Sequence, residues 1–197
     1  MNIIIVYHSG YGHTGLVAEQ IAEGARRERA TVTLLAAKEA STKLDLLTAA
    51  DTIVFGSPTY FANVSAEFKA FMEATGAIYS GQRWKNKLAA GFTNSSSTNG
   101  DKLHTLVSLS LFAAQQGMLW IPLGILPRFE NGIQQPEPNG MASYLGLMTM
   151  SDNVHGQLNE PADLGTARQF GRRIAQVTRL LKAGEVAAGA VAAEPVA

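Results

Sequence analysis

Five short apolar blocks punctuate this chain, at 3–7, 31–35, 52–58, 87–92 and 118–122. Each is strand-sized, and together they are too apolar for a sheet with one face in water. They are predicted as parallel strands buried on both faces, which requires helices above and below. The intervening segments supply them. Leu16, Val17, Ile21 and Ala25 recur at helical spacing, as do Phe68, Phe71 and Met72. Residues 102–115 form another helical stretch and 162–182 a last one, with Phe170, Ile174, Val177 and Leu181 along one side. A short helix is expected around Ser41, Thr42 and Lys43. The strand at 52–58 should stop at its proline. Right-handed crossovers limit the topology. From 123 to 161 the periodicity gives way to Gly, Pro and Asn, and an irregular run of that length is often functional. Residues 184–197, rich in Ala, Val and Gly, are predicted as a disordered tail, so the domain is expected to occupy 1–183.

Composition narrows the chemistry. The 197 residues suit one domain. Sixteen basic and sixteen acidic residues leave no net field to draw in nucleic acid or an anionic membrane, so neither is an expected partner. There is no Cys, hence no disulfide, thiolate nucleophile or Cys-bound metal. His8, His13, His104 and His155 have no metal-ligand spacing, and no metal is expected. The start of the chain carries neither a basic region nor a small-residue cleavage site, which points to the cytoplasm. No Gly-x-Ser-x-Gly elbow supports a hydrolase.

Three loops at the carboxyl ends of strands carry the candidate chemistry, because open α/β sheets bind ligands there. After the first strand, Ser9-Gly10-Tyr11-Gly12-His13-Thr14-Gly15 opens directly into a helix. Glycines, hydroxyls and a helix start hold a phosphate on backbone amides without Lys or Arg, although a plain strand-to-helix turn has the same composition. The dinucleotide reading of Gly10-x-Gly12-x-x-Gly15 needs an acidic residue after the second strand, and Glu39 is the only, poorly placed, candidate. After the third strand, Pro58-Thr59-Tyr60-Phe61 sets two aromatics at an exposed edge, suited to a planar ring. After the fourth, Asn94-Ser95-Ser96-Ser97-Thr98-Asn99 reads either as a wrap for a polyol and phosphate or as a flexible linker.

Gly-Tyr-Gly-His-Thr, Gly-Ser-Pro-Thr-Tyr-Phe-Ala-Asn and, ahead of the fourth strand, Thr-Gly-Ala-Ile-Tyr resemble the flavodoxin-like NAD(P)H:quinone oxidoreductases of the tryptophan-repressor-binding-protein (WrbA) family. The likeness runs from residue 2 to about 124 and returns in the last helix. It implies a flavodoxin-like three-layer α/β sandwich with a five-stranded parallel sheet in the order 2-1-3-4-5. It also implies FMN, with its phosphate on Ser9, Tyr11, Gly12, His13, Thr14 and Gly15. Pro58, Thr59, Tyr60 and Phe61 would border its ring, and Asn94, Ser95, Ser96, Ser97, Thr98 and Asn99 would complete the contacts. NAD(P)H and a quinone-like acceptor would share a pocket lined by Tyr11, Phe61, Tyr79 and Gln116, in a homodimer or homotetramer. No dedicated catalytic acid or base is expected. The alternatives are a flavodoxin-type electron-transfer protein and a non-catalytic flavin-binding regulator. The chain departs from the family at Gln115-Gln116, where the family has paired histidines, and at Ser151-Asp152-Asn153-Val154-His155-Gly156, where it has a Gly- and Asp-rich stretch.

Overall fold

A computed structural model describes residues 1–152 and 161–192. Its first strand, β1 (Asn2–Tyr7), sends Ile4 and Val6 into one apolar layer and Ile3 and Ile5 into another, all four without solvent contact. That two-sided burial is what a run of consecutive branched residues implies. In chain order β1 is followed by α1 (His13–Arg27), β2 (Thr31–Ala36), α2 (Ala37–Ala40), α3 (Leu44–Thr48), β3 (Thr52–Tyr60) and β4 (Asn63–Val64). Next come α4 (Ala66–Ala74), α5 (Gly76–Ser80), β5 (Leu88–Ser95), α6 (Lys102–Gln115), β6 (Leu119–Trp120), β7 (Phe129–Glu130), β8 (Ile133–Gln134), β9 (Leu147–Met150) and α7 (Pro161–Ala192).

The main sheet is parallel in the order β2-β1-β3-β5-β6, which is the expected 2-1-3-4-5 order of the long strands. On one face the rings of Phe55, Phe68, Phe71, Trp84 and Phe112 pack within 6.5 Å of Phe55 or of each other, largely edge to face. On the other, Val54, Ala90 and Phe92 meet α1 and α7 through Val17, Ile21, Phe170 and Ile174. Leu16, expected in the buried stripe of α1, is exposed instead.

Several element boundaries differ from expectation. The strand at 52–58 does not stop at Pro58: Thr59 and Tyr60 continue it by pairing antiparallel with β4. The fifth strand is split. β6 pairs Leu119 and Trp120 with Leu88 and Ala89, then Pro122, which has no N–H, ends the ladder. After an excursion containing the β7–β8 hairpin, β9 returns beside β5 and pairs Leu147 to Met150 with Phe92 to Ser95. Two short helices, α2 and α3, flank the stretch at Ser41–Lys43 rather than covering it. Helix α7 runs through Ala192, so 184–192 of the expected tail is helical, while 193–197 lie outside the described residues. Ala is the strongest helix former, which explains how an Ala-rich run, exposed at 184–187, continues a packed helix.

Candidate cofactor and active site

The carboxyl ends of β1, β3 and β5 meet around a cavity of about 540 Å³, within the range typical of small-molecule sites. Ser9, Tyr11, His13 and Thr14 form one wall, Pro58, Thr59 and Tyr60 a second, and Asn94, Ser95, Ser96 and Ser97 a third. The three loops chosen from sequence therefore converge. Gly12, the residue before α1, has φ 95°, a left-handed conformation that favours glycine, and no side chain caps the helix. No acidic residue occupies its first turn. The Gly15 amide donates to Ser9 Oγ at 3.0 Å, which fixes the loop's curl. A Cβ on Gly10 would stand 3.2 Å from the Tyr60 hydroxyl, so the first and second walls touch at that point. Burial, with a smaller contribution from Tyr11, raises the Tyr60 phenol above its ordinary value and keeps it a neutral donor.

Behind the walls, buried hydroxyls bond to one another. Thr59 Oγ1 donates to Thr105 Oγ1 at 2.8 Å and, having one proton, accepts from Thr93 Oγ1 at 2.7 Å. The Thr59 hydroxyl is thus engaged within the protein. Asn94 Nδ2 donates to Ser151 Oγ, and its Oδ1 accepts from Thr149 Oγ1, both at 2.8 Å. Asn94 therefore stitches β5 to β9 while lining the cavity.

The second loop is held in an unusual shape. Phe61 and Ala62 both have positive φ, 48° and 61°, in a two-residue turn between β3 and β4. Non-glycine residues adopt this pair of conformations at a cost of order 1 kcal/mol or more each. The Ala62 carbonyl is paired with His104 Nδ1 of α6 at 2.7 Å. Ser57 Oγ accepts the Ser65 amide at 2.9 Å, and Ser65 in turn caps α4 by accepting from the Phe68 amide. The result is a Phe61 ring wholly exposed next to Tyr60 but not among the residues that line the cavity, where it was expected.

Not every expected residue lines the cavity. Gly12 and Gly15 border a neighbouring cleft with His8 and Glu67. Thr98 points its hydroxyl at Met150 Sδ, 3.6 Å away, and the Asn99 carbonyl accepts the Lys102 amide. Tyr79 and Gln116 line a separate cavity of about 360 Å³ with Lys69, Glu73 and Thr75. There Gln116, 2% exposed, donates from Nε2 to Thr75 Oγ1 at 2.8 Å, while its buried Oε1 has no partner among the described residues. Within one chain, then, Tyr79 and Gln116 do not join the cavity beside Tyr11. Gly10 of the first loop lies on the cavity wall, and so do Gly100, Ser151 and Asp152, to which sequence reading gave no place in the site. It also missed Lys102, buried behind Ser95 and Ser97. Glu39, the dinucleotide candidate, is paired with Lys43 on the surface. Among the described residues no cluster of His, Asp or Glu could hold a metal.

Residues 1–127 match the family model described as NADPH-dependent FMN reductase. The chain belongs to that family. Curated relatives of this chain include flavodoxin FldP of Pseudomonas aeruginosa, 34% identical over 181 residues that cover 91% of this chain and 98% of that one. Another is an NAD(P)H dehydrogenase (quinone) of Geobacter sulfurreducens, 31% identical with 92% and 99% covered. A flavodoxin, WrbA-like protein from Agrobacterium tumefaciens superposes with TM-score 0.72 at 39% identity, covering 91% and 98% of the two chains. The cavity fits the cofactor these findings indicate. A helix start free of acidic side chains, hydroxyls at Ser9, Thr14 and Ser95–97, and an aromatic edge match the phosphate, ribityl chain and ring of FMN. The protein is an FMN-dependent oxidoreductase.

Proposed function

We propose that this protein passes two electrons from NAD(P)H to a quinone or related small electrophile, with donor and acceptor using one aromatic-bordered face in turn. The observation that carries this reading is the strained Phe61–Ala62 turn. It leaves the Phe61 ring wholly exposed next to Tyr60 of the cavity wall, a position from which it would stack on a flat reactant. Ser9, Thr14 and the helix start would hold the phosphate of FMN; Pro58, Thr59 and Tyr60 would border its ring. The chemistry that FMN supplies when bound is two-electron redox at its ring N5. The chain's residues bind and orient, and no acid or base is assigned. Among the described residues no helix is long and apolar enough to cross a membrane, and we place the enzyme in the cytoplasm. Because Tyr79 and Gln116 line a different cavity, they can serve the acceptor only from another copy, so their assignment goes with a homodimer or homotetramer.

The second reading, an electron-transfer flavodoxin, has support in the names of two of the relatives. The balanced charge of the chain argues against it, since carriers that dock on basic partners are held there by acidic faces. Anaerobic spectra decide. FMN-loaded protein should bleach on addition of NAD(P)H alone and recover on addition of benzoquinone, with parallel lines in double-reciprocal plots. Bleaching that needs a separate reductase would favour the carrier, and loaded protein that never bleaches would favour a regulator.

A further inference from the structure

Lys102 is the first residue of α6, and its side chain is wholly buried. Two costs coincide there. A buried ammonium gives up its hydration, and a cation at a helix start faces the positive end of the helix dipole. The first turn of α6 holds no acidic residue, and Asp101 just before it is exposed and makes no side-chain capping bond. Nζ donates to Ser95 Oγ at 3.2 Å and to the Ser97 carbonyl at 2.5 Å, and both acceptors belong to the wall of the FMN cavity. The opposing charge is Asp163 of α7, whose Oδ2 also accepts the Met150 amide at 2.8 Å. A residue set against local preference in two respects, behind a loop that lines a ligand cavity, marks a functional position. An anion in the cavity would offset both costs.

We propose that the Lys102 ammonium is a clasp that holds the 95–100 loop in the shape that receives the FMN phosphate, its charge and the bound phosphate stabilising each other. This rests on the assignment of FMN to the cavity. It adds a positioning residue that acts through Ser95 and Ser97, without requiring Nζ to touch the cofactor. Burial, partly opposed by Asp163, pushes the ammonium down to about 8 from its ordinary 10.5, so the clasp is half discharged near that pH. Among the described residues, the other titratable groups on the surrounding elements include Asp101 and His104 of the same segment, and Tyr11, His13, Tyr60 and Asp152 around the cavity. A phosphate monoester is essentially dianionic above about pH 7, so a break beyond that point belongs to the protein.

The sign follows from linkage: bound phosphate raises the Lys102 pKa, so binding takes up a proton around pH 8 and affinity falls as pH rises further. Fluorescence titration with FMN from pH 7 to 9 should give a constant Kd that weakens above about 8, approaching tenfold per pH unit. Calorimetry at pH 8 in two buffers of different ionisation enthalpy should read uptake of roughly half a proton. Lys102→Met should bind FMN about tenfold more weakly at pH 7 and lose the break. Should that variant fail to fold, Asp163→Asn serves: with less opposing charge, the break should move to lower pH. A wild-type Kd without a break, zero proton uptake, a break that survives in Lys102→Met, or one unmoved in Asp163→Asn would each overturn the clasp. Wild-type protein that binds no FMN at any pH brings down the cofactor assignment as well, so the two failures are distinguishable.

Discussion

The two ends of the same sheet carry polar groups to opposite purposes. At the amino end of β1 lies a cleft of about 780 Å³, larger than the cavity at the carboxyl end, lined by Met1, Arg27, Glu28, Arg29, Arg179 and Lys182. Much of its charge is spent within the protein. Lys182 pairs with Asp51 at 2.6 Å, and Arg172 and Arg179 reach Glu28 at 3.1 and 3.5 Å. The Glu28 carboxyl is lowered by Arg172 first, against some desolvation, and then by Gln176 and Arg179. These bonds tie α7 to α1 and to the start of β3. At the carboxyl end, hydroxyls and a helix start face a cavity, and Lys102, the one buried Lys or Arg among the described residues, sits behind its wall. Cleft size ranks the two ends wrongly; what separates them is whether polar groups are satisfied by each other or directed at a space.

If the amino-side docking of α7 is purely structural, disturbing it should cost stability and spare cofactor affinity. Helices α1 and α7 approach so closely that a Cβ on Gly171 would lie 2.0 Å from the Ile21 carbonyl oxygen, and one on Gly24 equally close to that of Arg168. Gly171→Ala must push two backbones apart. We expect a loss of about 3 kcal/mol and a fall in Tm of roughly 6–12 °C. FMN affinity, measured well below the new Tm, should be unchanged. A variant that melts like wild type would show that the helices separate at no cost, and a large loss of FMN binding would dissolve the division between the two ends.

The reverse perturbation belongs at the carboxyl end. Thr14 is buried on the cavity wall, and its hydroxyl bonds no other described residue. Thr14→Val keeps the shape and removes one donor to a charged phosphate, worth about 1.5–3 kcal/mol. FMN should bind roughly tenfold to a hundredfold more weakly, with Tm of the FMN-free protein within a degree or two of wild type. Equal Kd values for the two proteins would take the phosphate away from this loop.

The fold and the meeting of the three loops around one cavity were legible because the signals for them are written locally. Uninterrupted apolar blocks betray strands covered on both faces, and glycines with hydroxyls between a strand and a helix mark a candidate anion site. The split fifth strand was not legible. Met118 to Pro122 looks like one complete strand, yet Pro122 ends the pairing, and β9 is four residues inside a Gly- and Pro-rich run whose partner is over fifty residues away. Ser151 and Asp152 reach the cavity only because of that distant pairing. Asn131-Gly132, both at positive φ, was a readable hairpin signal that the periodicity argument passed over. Lys102 was hidden by its type, since a lysine at a helix start ordinarily faces water. Tyr79 and Gln116 came from family likeness alone, and they stand in a cavity of their own.

The smallest effect sharpens the comparison most, because it concerns a single charge. Asp51 accepts from the Asn2 amide and from Lys182 Nζ, both at 2.6 Å, with the amino terminus 4.0 Å away. Burial pushes its carboxyl up, but the Lys182 bond, the Asn2 amide and the neighbouring positive charges outweigh this and hold it below the ordinary 3.8. A carboxyl depressed by folding stabilises the protein fully above its unfolded value and loses that contribution as pH falls through the lower folded value. Asp51→Asn keeps the shape and one acceptor, so at pH 7 it should cost only about 1 kcal/mol, or 2–4 °C in Tm. Melts at pH 7, 5, 4 and 3 should show a steady gap down to about 4 that closes below it. A gap that persists at pH 3 would assign Asp51 to packing rather than charge. FMN titrations of the same variant should match wild type, including any break near pH 8, because that break belongs to Lys102 at the other end of the sheet; a shift in it would mean that the two ends communicate through α7, which carries both Lys182 and Asp163.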